Sequence, residues 1–253
     1  MKTLELEKMR WPEIKQALED GFKTVIIPAG SIEQHGPHLP ECVDNIVGLE
    51  VAKKVAENLG KTLVAPIITP GLSLHHMTFP GTISLRPETF MALAEDYVDC
   101  YYKHGFRNMV FFSGHGGNFR ALDEVARNAR KKYDDLTIFN AINIKDMEII
   151  LPDLERIEGI PKGAIGMGHS CDYETSMMLD LCPALVEMNA VEVGNTCELT
   201  DETLETLYQG GMSALTANGI LGDPTNATAE RGARNIERII YECQKKIEAL
   251  VNL

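Results

Sequence analysis

Short apolar runs rich in β-branched residues alternate along the chain with longer segments in which apolar residues recur every three or four positions. The short runs predict buried strands, and the longer segments predict amphipathic helices. Strands are predicted at 24–28, 62–66, 108–112 and 136–140. Helices are predicted at 45–59, 87–104, 120–133, 200–218 and 226–251, with a further short helix around residue 174.

This alternation predicts an α/β fold, because fully apolar strands separated by helices form a parallel sheet that is covered on both faces. The expected architecture is a single-domain layered sandwich with a mainly parallel sheet covered by helices. No linker or internal repeat interrupts the pattern, so one domain over residues 1–253 is expected. Ligands of such folds bind beyond the carboxyl ends of the strands, which directs attention to the loops that follow each strand.

The composition excludes several classes of function. The chain has 24 Lys and Arg against 37 Asp and Glu, a net charge of −13, which argues against a nucleic acid or an anionic membrane as partner. Its six cysteines are scattered, as is usual for reduced thiols. The N-terminal residues contain no apolar signal-peptide core, and no apolar run approaches the length of about 18 residues that a membrane span needs. A cytoplasmic location is therefore expected.

The loop after the first predicted strand carries Glu33, His35 and Asp44 among glycines and prolines. In an extended loop, Glu33 and His35 are two positions apart and point to the same side. A Gly/Pro turn can bring Asp44 back towards them, and such oxygen and nitrogen ligands suit Zn, Mn or Fe. The alternative is a structural loop in which Asp44 or Asn45 caps the following helix. The spacing alone leaves both interpretations open.

Two further loops carry candidate residues. The glycine-rich loop at 113–118 contains His115, followed by Gly116 and Gly117. This loop either supplies a ligand or cradles an anion at a helix N-terminus, but it lacks the lysine and the spacing of a nucleotide loop. The third loop contains His169, and Glu174 follows in the first turn of a short helix. A carboxylate is favourable there without any catalytic role.

Taken together, these segments resemble the creatininase family of metal-dependent amidohydrolases. The resemblance lies in residues 30–40 (GSIEQHGPHLP), Asp44, 79–85 (FPGTISL), 114–118 (GHGGN), His169, 174–176 (ETS) and 222–225 (GDPT). The segments follow the family's order over nearly the whole chain, and the first of them is long and unusual.

The resemblance implies a binuclear centre with two divalent metal ions per chain, which are Zn, Mn or Fe. It implies that Asp44 bridges the ions, that Glu33 and His115 bind one ion, and that His35 binds the other. Creatininase takes its remaining carboxylate from the position that is Gly117 here, so the chain departs from creatininase at a ligand. Glu174 is the expected substitute. The resemblance also implies a homohexamer.

The activity implied is hydrolysis of a C–N bond, in an amide, formamide or cyclic amide of a small polar substrate, by a metal-activated water. His169 is the candidate general acid and base, and Glu174 either completes the metal site or orients the reacting groups. The backbone amides of Gly116 and Gly117 are expected to contact the substrate, and His76 is expected to line its pocket.

Other activities stay open on the sequence. Creatininase encloses creatinine with a tryptophan and an aspartate at the positions that are Ile165 and Gly166 here, which argues against creatinine as the substrate. The alternatives are a C–C ring-opening hydrolase of an oxidised inositol, a creatinine amidohydrolase, and a non-catalytic metal-binding protein.

Overall fold

The computed structural model describes residues 2–251. Within that range the strands are β1 (Thr24–Ala29), β2 (Thr62–Val64), β3 (Asn108–Ser113) and β4 (Thr137–Asn140). The helices are α1 (Trp11–Glu19), α2 (Val43–Leu59), α3 (Pro87–His104), α4 (Phe119–Lys132), α5 (Ile144–Glu158), α6 (Asp172–Leu181), α7 (Asp201–Gly210) and α8 (Ala229–Leu250). No helix in the described range combines the length and the apolar character that a membrane crossing demands.

The four strands form one parallel sheet with the order β2-β1-β3-β4. The predicted mainly parallel sheet is thus confirmed, and each strand lies within two residues of its predicted bounds. All carboxyl ends of parallel strands lie at one edge of the sheet, and β1 and β3 are neighbours. The loops that follow these two strands therefore begin side by side.

Both faces of the sheet are covered, because successive side chains of each strand point to opposite sides. Val25 and Ile27 of β1 pack with α3 and α4, whereas Ile26 packs on the other face with α2 and α8. On β3, Phe111 and Phe112 divide between the same two clusters. The layered sandwich expected from the sequence is the observed fold, and its extension to one domain over residues 1–253 stays a prediction.

Two helices were not predicted. α1 is short and lies largely at the surface, with only Ala17 fully buried. α5 contains Pro152, a residue that normally argues against a helix interior, yet Ile150, Leu151 and Leu154 are buried against the sheet. Burial of this apolar face outweighs the hydrogen bond lost at the proline, and the local sequence does not reveal that balance.

The helix predicted at 200–218 is too long. α7 ends at Gly210 because Gly211 takes a positive φ of 73°, and the chain continues as irregular structure with one short 3-10 turn. The helix predicted at 226–251 starts later than expected, since the Thr228 side chain accepts a hydrogen bond from the Arg231 amide and caps the first turn.

α6 and α8 pack closely against each other, and Gly232 of α8 lies directly against the Ser176 carbonyl oxygen. We expect Gly232→Ala to lower the free energy of unfolding by about 3 kcal/mol, since the new methyl group would overlap backbone that cannot rotate away. Denaturant unfolding measures the effect. Glu237→Ala, at an exposed position of the same helix, is the control and should change stability by less than about 0.5 kcal/mol. Equal stability of the two variants would contradict the prediction.

Candidate metal centre

The site lies at the carboxyl edge of the sheet and is assembled from three segments. The loop after β1 carries Glu33 and His35, and the loop after β3 carries His115. Asp44 lies in the first turn of α2, where the positive end of the helix dipole favours a carboxylate. The N-cap of α2 is Cys42, so the interpretation of Asp44 as a helix cap is wrong. Its buried side chain points into the site instead.

One glycine makes the meeting of these segments possible. Gly114 packs directly against the backbone of Asp44, and any Cβ at this position would collide with the Asp44 carbonyl oxygen. The loop after β3 can therefore lie on the first turn of α2. This close approach brings the His115 ring to the carboxylate.

A fourth segment closes the site from the other side. Glu174 lies in the first turn of α6, and its Oε2 accepts a hydrogen bond of 2.6 Å from the Ser170 amide. Ser170 has a left-handed φ of 54°, a strained conformation for a residue with a side chain. Its hydroxyl donates to the His35 carbonyl oxygen. These bonds tie the start of α6, with His169 just before it, to the loop after β1.

Three groups of residues within the described range could hold a metal; one consists of Glu33, His35 and His169, and the other two share the carboxylate of Asp44. In the first of these two clusters, Glu33, Asp44 and His115 bring their nitrogen and oxygen atoms within 4.8 Å of one another, and in the second His35, Asp44 and Glu174 do the same. Asp44 Oδ1 lies 3.3 Å from His35 Nε2, and its Oδ2 lies 3.6 Å from His115 Nδ1. Asp44 thus faces both clusters with different oxygens.

Backbone carbonyls orient both imidazoles of these clusters. His35 Nδ1 lies 2.9 Å from the Glu33 carbonyl oxygen, and His115 Nε2 lies 3.1 Å from the Leu72 carbonyl oxygen. Because a carbonyl oxygen only accepts hydrogen bonds, these ring nitrogens must donate. The opposite nitrogens, His35 Nε2 and His115 Nδ1, point at the carboxylates, an arrangement typical of histidines that bind metals.

The electrostatics of the site call for positive charge. Burial alone would lower the pKa of His35, but the carboxylates of Asp44 and Glu174 raise that pKa to about 10. Burial likewise acts against His115, whose pKa the Glu33 carboxylate nevertheless raises to about 9. Without a metal the site therefore holds protons on both rings, and a bound cation would take their place.

Unpartnered atoms support the fit to a metal. Within residues 2–251, the buried polar atoms without a hydrogen-bond partner include both carboxylate oxygens of Glu33, Nε2 of His35 and Oδ2 of Asp44. A buried polar atom without a partner costs free energy, and coordination of a divalent cation gives carboxylates and imidazoles such a partner. The donor set of carboxylates and imidazoles fits Zn and Mn alike.

Sequence reasoning missed a positioning residue, Gln34. Its Oε1 accepts from the Gly36 amide and its Nε2 donates to the Gly219 carbonyl oxygen, so the orientation of the amide is unambiguous. The same Nε2 lies 3.1 Å from His76 Nδ1 and 3.0 Å from His169 Nε2. The NH2 group has only two protons and donates one of them to Gly219, so it can make a full hydrogen bond to one of these two rings while it contacts both. The signal in the sequence was the glutamine within the EQH run.

The remaining predicted residues lie as follows. His76 is buried, with Nε2 at 3.3 Å from Glu33 Oε1, and burial holds its pKa well below the ordinary value. His169 lies with Nδ1 at 3.7 Å from the same oxygen, and burial lowers its pKa in the same way.

Gly116 and Gly117 line the adjoining cavity. A Cβ at Gly117 would collide with the His115 ring, so this loop geometry leaves no room for a carboxylate there.

One cavity adjoins both clusters. Its lining includes residues of both clusters and His169. His75 also lines it and makes an edge contact with the Tyr208 ring, with 5.4 Å between the ring centroids.

Comparison with known proteins identifies the family. Residues 7–247 match the sequence model of the creatininase family, described as creatinine amidohydrolase. The chain belongs to the creatininase family. It is accordingly an enzyme, a metal-dependent amidohydrolase of that family. The recognition made from the sequence is confirmed, and the interpretation as a non-catalytic protein is set aside.

Its relatives carry out different reactions. Mycofactocin precursor peptide peptidase of Mycobacterium ulcerans (strain Agy99) is 32% identical over 241 residues, which cover 91% of this chain and 86% of the relative. 3-Dehydro-scyllo-inosose hydrolase of Thermotoga maritima is 31% identical, over 97% of this chain and 83% of the relative. Creatinine amidohydrolase of Pseudomonas putida is 28% identical, over 75% of this chain and 76% of the relative.

Solved structures share the fold. A mutant creatininase described as of the Zn-Zn type superposes with a TM-score of 0.84 at 25% identity, and the match covers 100% of both chains. A creatininase described as the Mn form gives a TM-score of 0.83 at 26% identity, over 99% of this chain and 100% of that one. Creatininases of this fold therefore bind Zn or Mn.

Proposed function

We propose that this member of the creatininase family binds two divalent metal ions and hydrolyses the C–N bond of an amide in a small molecule. Glu33 and His115 would hold one ion, His35 and Glu174 the other, and Asp44 both. The support is the pair of clusters that share Asp44, together with unpartnered atoms aimed between them. Zn and Mn are the ions named for two creatininase structures of this fold, and Fe fits the same donors.

Bound divalent ions supply Lewis acidity for the substrate carbonyl and lower the pKa of water. Proton transfer and binding of the substrate are assigned to side chains and backbone amides of the protein. His169 is the group we assign to proton transfer, because its ring packs 4.4 Å from that of His35 and 4.6 Å from that of His76, at the cavity end of the site. A neutral imidazole can accept a proton and pass it to the leaving nitrogen. Gln34 contacts this ring, with its Nε2 at 3.0 Å from His169 Nε2.

The substrate is held by the cavity beside these groups. His76 lines it next to Glu33, and the glycines of the loop after β3 expose backbone there. We assign the amides of Gly116 and Gly117 to contacts with the carbonyl oxygen of the substrate. The water-excluding walls of the cavity would strengthen these contacts.

The experiment that tests this function combines metal content with turnover. Protein purified without chelator is measured by plasma mass spectrometry, and the same sample is then assayed on formamides, lactams and peptide amides. We expect about two ions per chain and hydrolysis that disappears after chelation and returns when metal is added back. Hydrolysis that survives complete removal of the metal would contradict the proposal.

We expect His169→Gln to keep its metal and to lower kcat by about 10²–10⁴-fold, the range typical for removal of a general acid or base. Metal analysis and steady-state kinetics check the two halves of this prediction separately. The matched control is His104→Gln, in the exposed last turn of α3, which should leave both quantities unchanged. Wild-type kcat in His169→Gln would remove this residue from the mechanism.

A second candidate is C–C ring opening of an oxidised inositol, because the Thermotoga maritima hydrolase aligns with 97% of this chain. A keto-inositol belongs in the substrate panel for this reason, as does creatinine. Turnover of the keto-inositol without turnover of any amide would favour this candidate over the first.

The homohexamer and the cytoplasmic location, which rest on the resemblance and on the composition, stay predictions. So does the exclusion of nucleic acid, which rests on the acidic charge of the chain.

A further inference from the structure

The cavity beside the metal centre is lined by two chemically different sets of side chains. One set is the three carboxylates with His76, His115 and His169. The other set is aliphatic and comes from α5, from the segment before α6, and from α7 with Leu199 just before its N-cap. The side chains of this apolar wall are Met147, Leu151, Met167, Leu199, Leu204 and Leu207.

The apolar wall joins two clusters: Leu151 belongs to the main core, with Met147 and Leu199 packed against it, whereas Met167 and Leu207 go with a smaller cluster. Leu207 belongs to a small separate cluster with Met212 and Leu221, so α7 packs on the protein largely through that cluster. Leu199 and Leu204 are only partly buried and border the cavity. Aliphatic groups left facing a water-filled cavity are unfavourable, and an apolar ligand group removes that cost.

The charges of the cavity exclude one class of substrate. Its described lining residues include Glu33, Asp44 and Glu174 but no lysine or arginine. Away from the metal centre, no lining side chain would neutralise a carboxylate or a phosphate on the substrate. An anionic group would meet the apolar wall without a partner, which is costly for a desolvated charge.

We infer that the substrate is an uncharged amide with an aliphatic or aromatic substituent, which lies against the apolar wall while the amide lies at the metal centre. This inference rests on the proposed function, since it names the substrate class for the same site. It changes the expectation of a polar substrate: only the reacting end is polar, and the rest is hydrophobic. The occupant is a part of the substrate because the wall and the catalytic groups line one continuous cavity.

The test uses metal-loaded enzyme and unbranched aliphatic hydroxamates from two to six carbons, with binding measured by calorimetry. Hydroxamates bind metals without being turned over, so the readout is independent of activity. We expect affinity to rise about three-fold for each added methylene, close to the value for complete burial of a CH₂ group. A six-carbon hydroxamate that ends in a carboxylate should bind at least about ten-fold more weakly than its uncharged counterpart.

Two variants test whether the apolar wall causes the dependence of affinity on chain length. Leu204→Ser is expected to flatten the chain-length series, whereas Leu185→Ser, at an exposed leucine outside the cavity, should keep the wild-type slope. The wild-type series tests the inference even if Leu204→Ser does not fold. A flat wild-type series on metal-loaded protein would overturn the inference and leave metal-dependent hydrolysis standing. Failure to bind metal, which is measured first, would overturn the proposed function and the inference with it.

Discussion

Asp44→Asn is expected to lose both metal ions and to lower kcat/KM by at least about 10³-fold. The two oxygens of Asp44 face different clusters, Oδ1 towards His35 and Oδ2 towards His115. Asparagine keeps the shape of the side chain but removes its charge and replaces one oxygen with an NH₂ group that cannot bind a cation. Both ions depend on this side chain, so their loss should be coupled. Plasma mass spectrometry and steady-state kinetics on the same preparation measure the two effects.

The control for this variant is Asp180→Asn, an exposed aspartate in α6, which should keep wild-type metal content and activity. Circular dichroism of Asp44→Asn checks that the sheet and helices remain formed. Loss of one ion with retention of the other would mean that Asp44 serves one cluster only. Full activity with two ions retained would contradict the two-metal arrangement altogether.

Glu174→Gln is expected to lower the metal content from about two ions per chain to about one and kcat/KM by more than about 100-fold. Glu174 Oε2 lies 3.6 Å from His35 Nε2, and Glu33 and His115 belong to the other cluster. Only the ion held by His35 and Asp44 should therefore be lost. Glutamine keeps an oxygen that can still accept the hydrogen bond from the Ser170 amide, so the start of α6 should stay in place.

The outcome for Glu174→Gln also shows whether Glu174 is a metal ligand or acts on the reacting groups. If the variant keeps two ions but loses activity, Glu174 acts on the reacting groups and the second ion has another ligand. Glu124→Gln, at an exposed site in α4, is the matched control for the loss of a carboxylate charge. Addition of excess metal should restore part of the activity of Glu174→Gln only if the weakened site can still be filled.

The chain has Gly117 at the position where creatininase is expected to have a carboxylate ligand, and the loop geometry accounts for this difference. A carboxylate at Gly117 would need a Cβ where the His115 ring lies, so this chain could not use that ligand with this loop geometry. Glu174 instead reaches the second cluster from α6, across the site.

Much of this protein was predictable from the sequence because the relevant signals are local. Strand and helix periodicity reflects which side chains face the core, so the mainly parallel sheet covered by helices followed from apolar spacing. The bounds of α3 were predicted correctly, since Pro87 suits a first helical turn and Gly105 ends the helix with a left-handed φ. Candidate ligands were recognisable because carboxylates and imidazoles stood in glycine-rich loops after strands.

Other features depended on contacts between distant parts of the chain. The sequence did not show that Glu174 meets His35 and Asp44, because their distance depends on how α6 packs against α2. It left Gln34 unassigned, whose amide reaches Gly219 and two histidines from other segments. The apolar wall is likewise made by α5 and α7, which lie far apart in sequence. Local patterns determine which residues can act as metal ligands or line a pocket, whereas the packing of helices on the sheet decides which of them face the same cavity.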